Sequence, residues 1–166
     1  FDATVAQRVQ ALTVSAGQAR VVSAATKIPL TVGDGTLPAS QLTITGGKLD
    51  VMTNGVVVDY AATDSTGDNA AVASVRGKIV AGYNAGGPAW QGNGIVSSNA
   101  ASNSSAAVGY ALANEVLPFT NGTSDTFLGS TVDPSSVVAR YTLAGDATLD
   151  GAVDFILHFA SPASPV

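Results

Sequence analysis

The sequence predicts a mainly β protein, an antiparallel β-sandwich of the jelly-roll kind with one short helix. Thr, Ser, Asn and Gly are abundant, whereas glutamate occurs once, at Glu115, and this composition suits strands and tight turns better than helices. Apolar and polar residues alternate in several short runs that glycines separate. A β-solenoid fragment is the alternative fold, because residues 12–17 (LTVSAG) and 42–47 (LTITGG) echo each other.

The N-terminal half reads as short strands joined by tight turns. The turn at Gly17 predicts a hairpin between the strands that flank it. Pro29 predicts either an edge strand or the first residue of a strand. Residues 41–45 alternate cleanly, which predicts a strand whose Leu42 and Ile44 face the core.

The strongest hairpin signal is the Asn54-Gly55 pair, which lies between two apolar runs. Asn-Gly favours the tight turn that matches the twist of antiparallel strands. The pair therefore predicts that residues 48–52 and 56–60 form a hairpin.

One helix is predicted over residues 71–80, with Asp68 or Asn69 as its N-terminal cap. Its inward face would consist of Val72, Val75, Ile79 and Val80. Beyond it, residues 82–95 form a glycine-rich loop that holds the only Trp. Residues 108–113 suit a strand or a helix, and residues 137–143 alternate as a strand.

Composition excludes several function classes. The net charge is −5, and the seven basic residues are scattered, so no patch exists that could neutralise nucleic-acid phosphates. No apolar run is long enough to span a membrane. Cysteine is absent, which removes disulfides and thiol chemistry.

No catalytic residue is predicted. His158 lies in an apolar stretch without a nucleophile motif, so it is interpreted as a tail or packing residue. Asp50 and Asp59 flank the predicted hairpin and are interpreted as surface carboxylates rather than a glycosidase pair. The chain is therefore expected not to be an enzyme.

Residues 146–157 resemble an EF-hand-type calcium loop in their spacing. Counted from Asp146, oxygen ligands fall at Thr148, Asp150, the Ala152 carbonyl and Asp154, and Gly151 takes the sharp turn. Leu157 stands where a bidentate acid belongs, which predicts weak Ca²⁺ binding. The alternative is a solvated Asp-Gly turn without metal.

Two further surface features suggest sugar. Tyr83 and Trp90 are a candidate glycan-contact pair, although rings in such loops also plug core edges. Asn103 and Asn121 each begin an N-glycosylation pattern in a predicted loop.

Four segments, in order, resemble a recurring C-terminal region of very large secreted proteins of planctomycete-type bacteria. They are residues 46–60 (GGKLDVMTNGVVVDY), 72–98 (VASVRGKIVAGYNAGGPAWQGNGIVSS), 107–113 (AVGYALA) and 137–155 (VVARYTLAGDATLDGAVDF). Such proteins often carry autotransporter-associated β-strand repeats and end in dockerin-like calcium loops. The resemblance implies a secreted, surface-associated module with Asp146, Thr148, Asp150 and Asp154 as ligands. After Phe155 the chain departs from the pattern, which continues with an acid and often a second loop.

The predicted organisation is an N-terminal extension (residues 1–12), a β-rich domain (13–155) and an extended C-terminal tail (156–166). Both ends carry apolar positions that could pair with a sheet edge of the next copy. These positions are Val5, Val9, Leu12, Phe155, Ile156 and Phe159. The expected function is a structural subunit of an extracellular or cell-surface fibre, a homopolymer that grows head to tail, and the N-terminal end is the favoured donor strand. The alternative is a calcium-dependent carbohydrate-binding or adhesion module.

Overall fold

A computed structural model describes residues 1–22, 25–36, 41–61, 65–120 and 123–154, with only the backbone described for residues 65–69. Within these ranges the protein is mainly β, as the composition predicts, with thirteen strands and three helices. The strands form two larger sheets and two isolated pairs.

Six short strands come from the first 44 residues. They are β1 (Asp2–Ala3), β2 (Gln7–Val9), β3 (Leu12–Val14), β4 (Gln18–Val21), β5 (Pro29–Val32) and β6 (Leu42–Ile44). The first three pair in parallel with the second three: β1 with β4, β2 with β5 and β3 with β6. The chain therefore makes one circuit through three strands and stacks its next circuit upon the first.

A third circuit begins with β7 (Lys48–Asp50), parallel to β4, and β8 (Gly55–Val58), parallel to β5. Helix α1 (Ser65–Tyr83) follows, and strand β9 (Ile95–Val96) then pairs in parallel with β7. Residues 1–12, predicted as an N-terminal extension, supply β1, β2 and the start of β3 to these sheets.

The sequence echo at residues 12–17 and 42–47 marks the register of this stacking. Its equivalent residues are direct neighbours in the pairing of β3 with β6. The pairs are Leu12–Leu42, Thr13–Thr43 and Val14–Ile44. The turns stack closely too, because a Cβ on Gly47 would lie 2.8 Å from the Gly17 carbonyl oxygen.

The predicted jelly-roll sandwich is not confirmed. Six of the nine strand pairings among the described residues are parallel, whereas a jelly roll is built from antiparallel strands. The antiparallel pairs join β10 (Ala106–Leu112) to β13 (Val137–Leu143), β13 to β8, and β11 (Asp125–Phe127) to β12 (Ser130–Val132). The strand predicted over residues 137–143 is confirmed.

Both predicted hairpins are wrong, since each turn is a corner between sheets. The strands on either side of Gly17, β3 and β4, belong to different sheets, and so do β7 and β8 on either side of Asn54. Asn54 is fully buried. Its Nδ2 donates to the Val21 carbonyl at 2.6 Å, and its Oδ1 accepts from the Ile28 N–H at 3.1 Å. The Asn-Gly pair therefore does form a turn, but this turn is a corner whose side chain is hydrogen-bonded to the neighbouring circuit.

Helix α1 is longer than the predicted helix, and three of the four residues predicted to face inward do so: Val75 and Ile79 are buried, and Val72 is partly buried against the main core. Ala71, Val75 and Ile79 are buried at four-residue spacing, whereas Val80 is 55% exposed. Neighbouring helical residues point about 100° apart, so Val80 cannot share the face that Ile79 buries. The prediction that Val80 faces inward is therefore wrong.

The glycines after α1 allow the loop to lie directly against the helix. A Cβ on Gly94 would lie 2.1 Å from the Lys78 carbonyl oxygen, and one on Gly92 would lie 2.0 Å from that of Ala81. Glycine is required here because no side chain fits between the two backbones. Two short helices follow, α2 (Ser98–Ala101) and α3 (Ala113–Val116). Residues 108–112 therefore belong to a strand, and residue 113 begins a helix.

The sheet that contains β8 is covered on both faces. Val56 and Val58 point into the main core inside the circuits, and Val57 points into a smaller core with Phe127 and Leu149. All four residues of β8 are buried, as expected for a central strand of a sheet that is covered on both faces. The smaller core carries the acidic loop that follows β13.

Candidate functional site

The acidic loop, residues 145–154, leaves β13 and is anchored by Leu149. This side chain is buried, and it packs where β10 has a glycine: a Cβ on Gly109 would lie 2.5 Å from Leu149 Cδ2. Gly109 lies opposite Arg140 in the pairing of β10 with β13. The loop is therefore positioned by packing as well as by its polar groups.

Asp146 is the centre of the loop's hydrogen bonding. Its Oδ2 accepts a hydrogen bond from the Thr142 hydroxyl and another from the Gly151 N–H at 2.9 Å. Its Oδ1 accepts from the Thr148 hydroxyl at 3.2 Å. The carboxylate thus ties the end of β13 to the predicted positions three and six of the loop.

The pKa of Asp146 lies below its ordinary value. Burial alone raises the pKa of this carboxyl, but the hydrogen bonds from Thr142, Gly151 and Thr148 favour the charged form and outweigh burial. Asp146 is consequently a carboxylate at neutral pH.

Arg140 places a positive charge beside this loop. Its guanidinium is buried and donates from NH1 to the Leu149 carbonyl at 2.7 Å. Burial lowers the pKa of Arg140, while the charges of Asp146 and Asp150 raise it. The guanidinium therefore already supplies cationic charge to two of the predicted calcium ligands.

The other predicted ligands are less constrained. Asp150 Oδ1 accepts the Ala152 N–H at 2.8 Å, and both Ala152 and Asp154 are exposed. No cluster of three or more His, Cys, Asp or Glu in the described part of the chain is arranged to hold a metal. Leu157 lies outside the described residues. The oxygens of the loop are of the type that Ca²⁺ prefers, and Ca²⁺ stays a prediction.

The candidate glycan-contact pair forms an edge-to-face contact. The ring centroids of Tyr83 and Trp90 are 5.2 Å apart with an interplanar angle of 72°. Trp90 is only 8% exposed, whereas Tyr83 is 45% exposed. Beside them lies a cavity of about 360 Å³, lined mainly by alanines including Ala89, Ala106 and Ala107. Of the two rings, Tyr83 is therefore the one that is open to solvent.

Of the predicted glycosylation and tail residues, only Asn103 lies within the described residues. Asn103 is exposed in the turn after α2, where its Oδ1 accepts the Ser105 N–H at 3.1 Å. Asn121 and the apolar tail residues Phe155, Ile156 and Phe159 lie outside the described residues.

The predicted N-terminal assembly residues lie on the first circuit. Val5 is 60% exposed, and Val9 and Leu12 are partly buried against the main core. In each sheet or strand pair, β1, β2 and β3 occupy the outermost place, so each has one described neighbour.

The backbone of these strands alternates between the paired side and the open side. Carbonyls of Ala3, Val9 and Val14 accept hydrogen bonds from the second circuit, at 2.6, 2.8 and 3.1 Å. The preceding residues therefore turn their N–H and C=O groups to the open side. These residues are Asp2, Arg8 and Thr13, and we call this set of free backbone groups the open edge.

Two functional side chains were missed by sequence reasoning. The alternation over residues 137–143 predicts only that Arg140 lies in a strand, although an arginine just before an acidic loop is a usable signal that its charge interacts with that loop. Asn54 is predicted to lie in a hairpin turn, and nothing in the local sequence distinguishes a buried corner from a hairpin.

Comparison of the chain with models of known families, with curated proteins and with solved structures gives no match. Among the described helices, none has the length and apolar character needed to cross a membrane.

Proposed function

We propose that this chain is a structural module of an extracellular or cell-surface assembly, and that its circuits are those of a β-solenoid. The observation that carries the proposal is the open edge. Three strands in one circuit leave backbone donors and acceptors on the same side, and an unpaired edge is a template for added strands. The far ends of the two larger sheets differ, because α1 packs against β9 and β10 there.

From this asymmetry we infer different roles for the N-terminal and C-terminal segments. Residues 1–14 are already paired with the second circuit, so they suit an acceptor better than a donor. The donor we propose is the apolar segment over residues 155–159 of the next copy. Donation from tail to open edge is a heterologous contact, and such contacts propagate into a filament.

Thr13→Pro tests the open edge. The Thr13 N–H does not face β6, so proline blocks an added strand at that point without removing a bond to β6. We expect the wild-type chain to form filaments in electron microscopy and large species in sedimentation, and the variant to stay monomeric with nearly unchanged Tm.

Thr13→Val keeps the N–H and is the matched control, and deletion of residues 155–166 removes the proposed donor. A wild-type chain that stays monomeric at high concentration would reject the proposal. So would normal assembly of both Thr13→Pro and the truncated chain.

A calcium-dependent carbohydrate-binding or adhesion module is the second candidate, and the exposed Tyr83 ring beside the alanine-lined cavity favours it. Tyr83→Ala is the better probe, since Trp90 is buried and its removal would damage packing. Loss of glycan-array binding in Tyr83→Ala, with unchanged Tm, would favour this candidate.

In either function the acidic loop acts as a clamp on the end of β13. Asp146 holds it by accepting hydrogen bonds from Thr142, Thr148 and Gly151, and Arg140 holds it by donating to the Leu149 carbonyl. Ca²⁺ at Asp146, Thr148, Asp150, Ala152 and Asp154 would stiffen it further. The exposed carboxylates of Asp150 and Asp154 leave room for that ligand set.

A further inference from the structure

A second group of carboxylates lies away from the acidic loop, at the turn that follows β5. Gly33 and Gly35 both have positive φ, +100° and +77°, and the turn they form lies against Asp59 at the end of β8. A Cβ on Gly33 would lie 1.9 Å from the Asp59 carbonyl oxygen, so glycine alone fits this close approach.

Asp59 has one satisfied and one unsatisfied oxygen. Oδ2 forms an ion pair with Arg8, whose guanidinium also donates to the Gly33 carbonyl at 2.8 Å. Oδ1 is buried and has no hydrogen-bond partner, and the Asp59 side chain is only 9% exposed. A buried oxygen without a partner lowers the free energy of unfolding, so a ligand bound to this atom would stabilise the fold.

Asp133 brings a second oxygen to the same place. The N–H and hydroxyl groups of Ser135 and Ser136, in the following turn, all donate to Asp133 Oδ1, at 2.7–3.1 Å. That arrangement fixes the carboxylate and leaves Oδ2 for another contact.

Both oxygens lie beside the position that a side chain on residue 35 would occupy, and we call this place the notch. The position of a Cβ on Gly35 would lie 3.2 Å from Asp59 Oδ1 and 3.8 Å from Asp133 Oδ2. The two carboxylates come from different parts of the chain, the end of β8 and the turn between β12 and β13.

The charges at the notch do not balance. Arg8 offsets one of the two carboxylates, and Asp34, whose pKa is lowered mainly by its bonds from Thr36 and less by the charge of Arg8, adds another negative charge nearby. An anionic notch with a dehydrated carboxylate oxygen is suited to a hard cation with oxygen ligands.

We propose that Asp59 Oδ1 and Asp133 Oδ2 bind a divalent cation, Ca²⁺, over Gly35, with water completing its shell. The ion satisfies the buried Asp59 oxygen and joins the turn after β5 to the turn that precedes β13. With two protein carboxylates, the expected Kd is about 0.1–1 mM, the range of weak extracellular calcium modules.

Asp133→Asn tests this site, because asparagine keeps one oxygen for the Ser135 and Ser136 donors and replaces the cation ligand with an NH₂ group. Calorimetric titration with Ca²⁺ should show at least about a tenfold weaker affinity for the notch in this variant. Asp150→Asn is the matched control, since it alters the acidic loop and leaves the notch intact.

Circular dichroism melting in EDTA checks that each variant folds. If Asp133→Asn does not fold, Gly35→Ala takes its place, because its Cβ fills the notch and spares both carboxylates. The strain of alanine at the positive φ of residue 35 lowers Tm equally with and without Ca²⁺, so melting in EDTA separates it from loss of the ion. Retention of notch binding in Asp150→Asn together with its loss in Asp133→Asn supports the proposal. Wild-type affinity in Asp133→Asn, loss confined to Asp150→Asn, or no uptake of millimolar Ca²⁺ by the wild-type chain would overturn it. None of these outcomes depends on whether the chain assembles.

Discussion

At the level of single residues, the acidic loop is held by protein groups in the positions where a calcium loop would place a metal. Thr142, Gly151 and Thr148 donate to Asp146, and buried Arg140 donates to the Leu149 carbonyl. Because the hydrogen bonds lower the pKa of Asp146, its carboxylate stabilises the folded state more than the unfolded one.

The sign of the pH effect follows from this shift. A lowered pKa in the folded state gives a stabilisation that is present above the ordinary pKa of about 3.9 and is lost as the pH falls through the folded value. We expect Asp146→Asn in EDTA to lose about 1–2 kcal/mol of unfolding free energy at pH 7. The variant should also lose less stability than the wild-type chain between pH 5 and pH 3.

Urea unfolding at several pH values measures both effects. The control is Asp154→Asn, since Asp154 is exposed in the same loop. Identical pH profiles for Asp146→Asn and wild type would show that this carboxylate does not clamp the loop.

At the level of elements, the corners decide the architecture. Each corner sends the chain from one sheet to the next, so strands that are neighbours in sequence lie in different sheets. Asn54 illustrates this, because its side chain bonds to Val21 and Ile28 of the preceding circuit. The glycines that face α1 have the same role, since they let a loop approach the helix backbone.

Asn54→Ala should cost about 2–4 kcal/mol of unfolding free energy, because it leaves a buried carbonyl and a backbone N–H without partners. Asn93→Ala is the control, as Asn93 is an exposed asparagine in the loop after α1. Chemical denaturation compares the two, and a loss below about 1 kcal/mol for Asn54→Ala would contradict the role of this corner.

At the level of the whole molecule, the stack has two different ends. The first circuit presents the open edge, and α1 packs over the strands at the other end of the larger sheets. In the proposed β-solenoid, stacked circuits contact chiefly their neighbours, so stability grows as circuits are added.

A second copy of residues 18–48 placed before Phe1 should extend the stack. In this fusion Asp2 follows the added circuit at the same distance at which Asp50 follows residues 18–48 in the natural chain. Asp2 and Asp50 both pair with Arg20 in the structure, so the added copy of Arg20 can pair with Asp2 in the same register. We expect Tm to rise by about 4–8 °C, which corresponds to about 2 kcal/mol, and self-association through the open edge to disappear. A scrambled segment of the same composition is the control, and an equal Tm for both fusions would argue against an open edge that accepts a circuit.

Much of the local structure could be predicted from sequence. Alternation over residues 137–143 predicts the strand that is observed, the signals at Gly17 and Asn54 lie where the chain turns, and the composition predicts a mainly β protein. These features depend on contacts within a few residues, which local patterns report directly.

Contacts between residues that are far apart in the sequence were harder to predict. The sequence echo between residues 12–17 and 42–47 was the one long-range signal, and it coincides with the register of β3 and β6. The proposed cation notch had no signal, because Asp59 and Asp133 are far apart in the chain and each resembles an ordinary turn aspartate.

The sequence by itself determined the β content, the places of the turns and the acidic character of the loop after β13, because each depends on neighbouring residues. Tertiary structure decided which strands pair, which face of α1 is buried, and that Arg140 lies beside Asp146 and Asp150. The physical reason is that a turn fixes only the local direction of the chain. Burial of the valines of β8 on both faces and the bonds of Asn54 then select parallel stacking over hairpins.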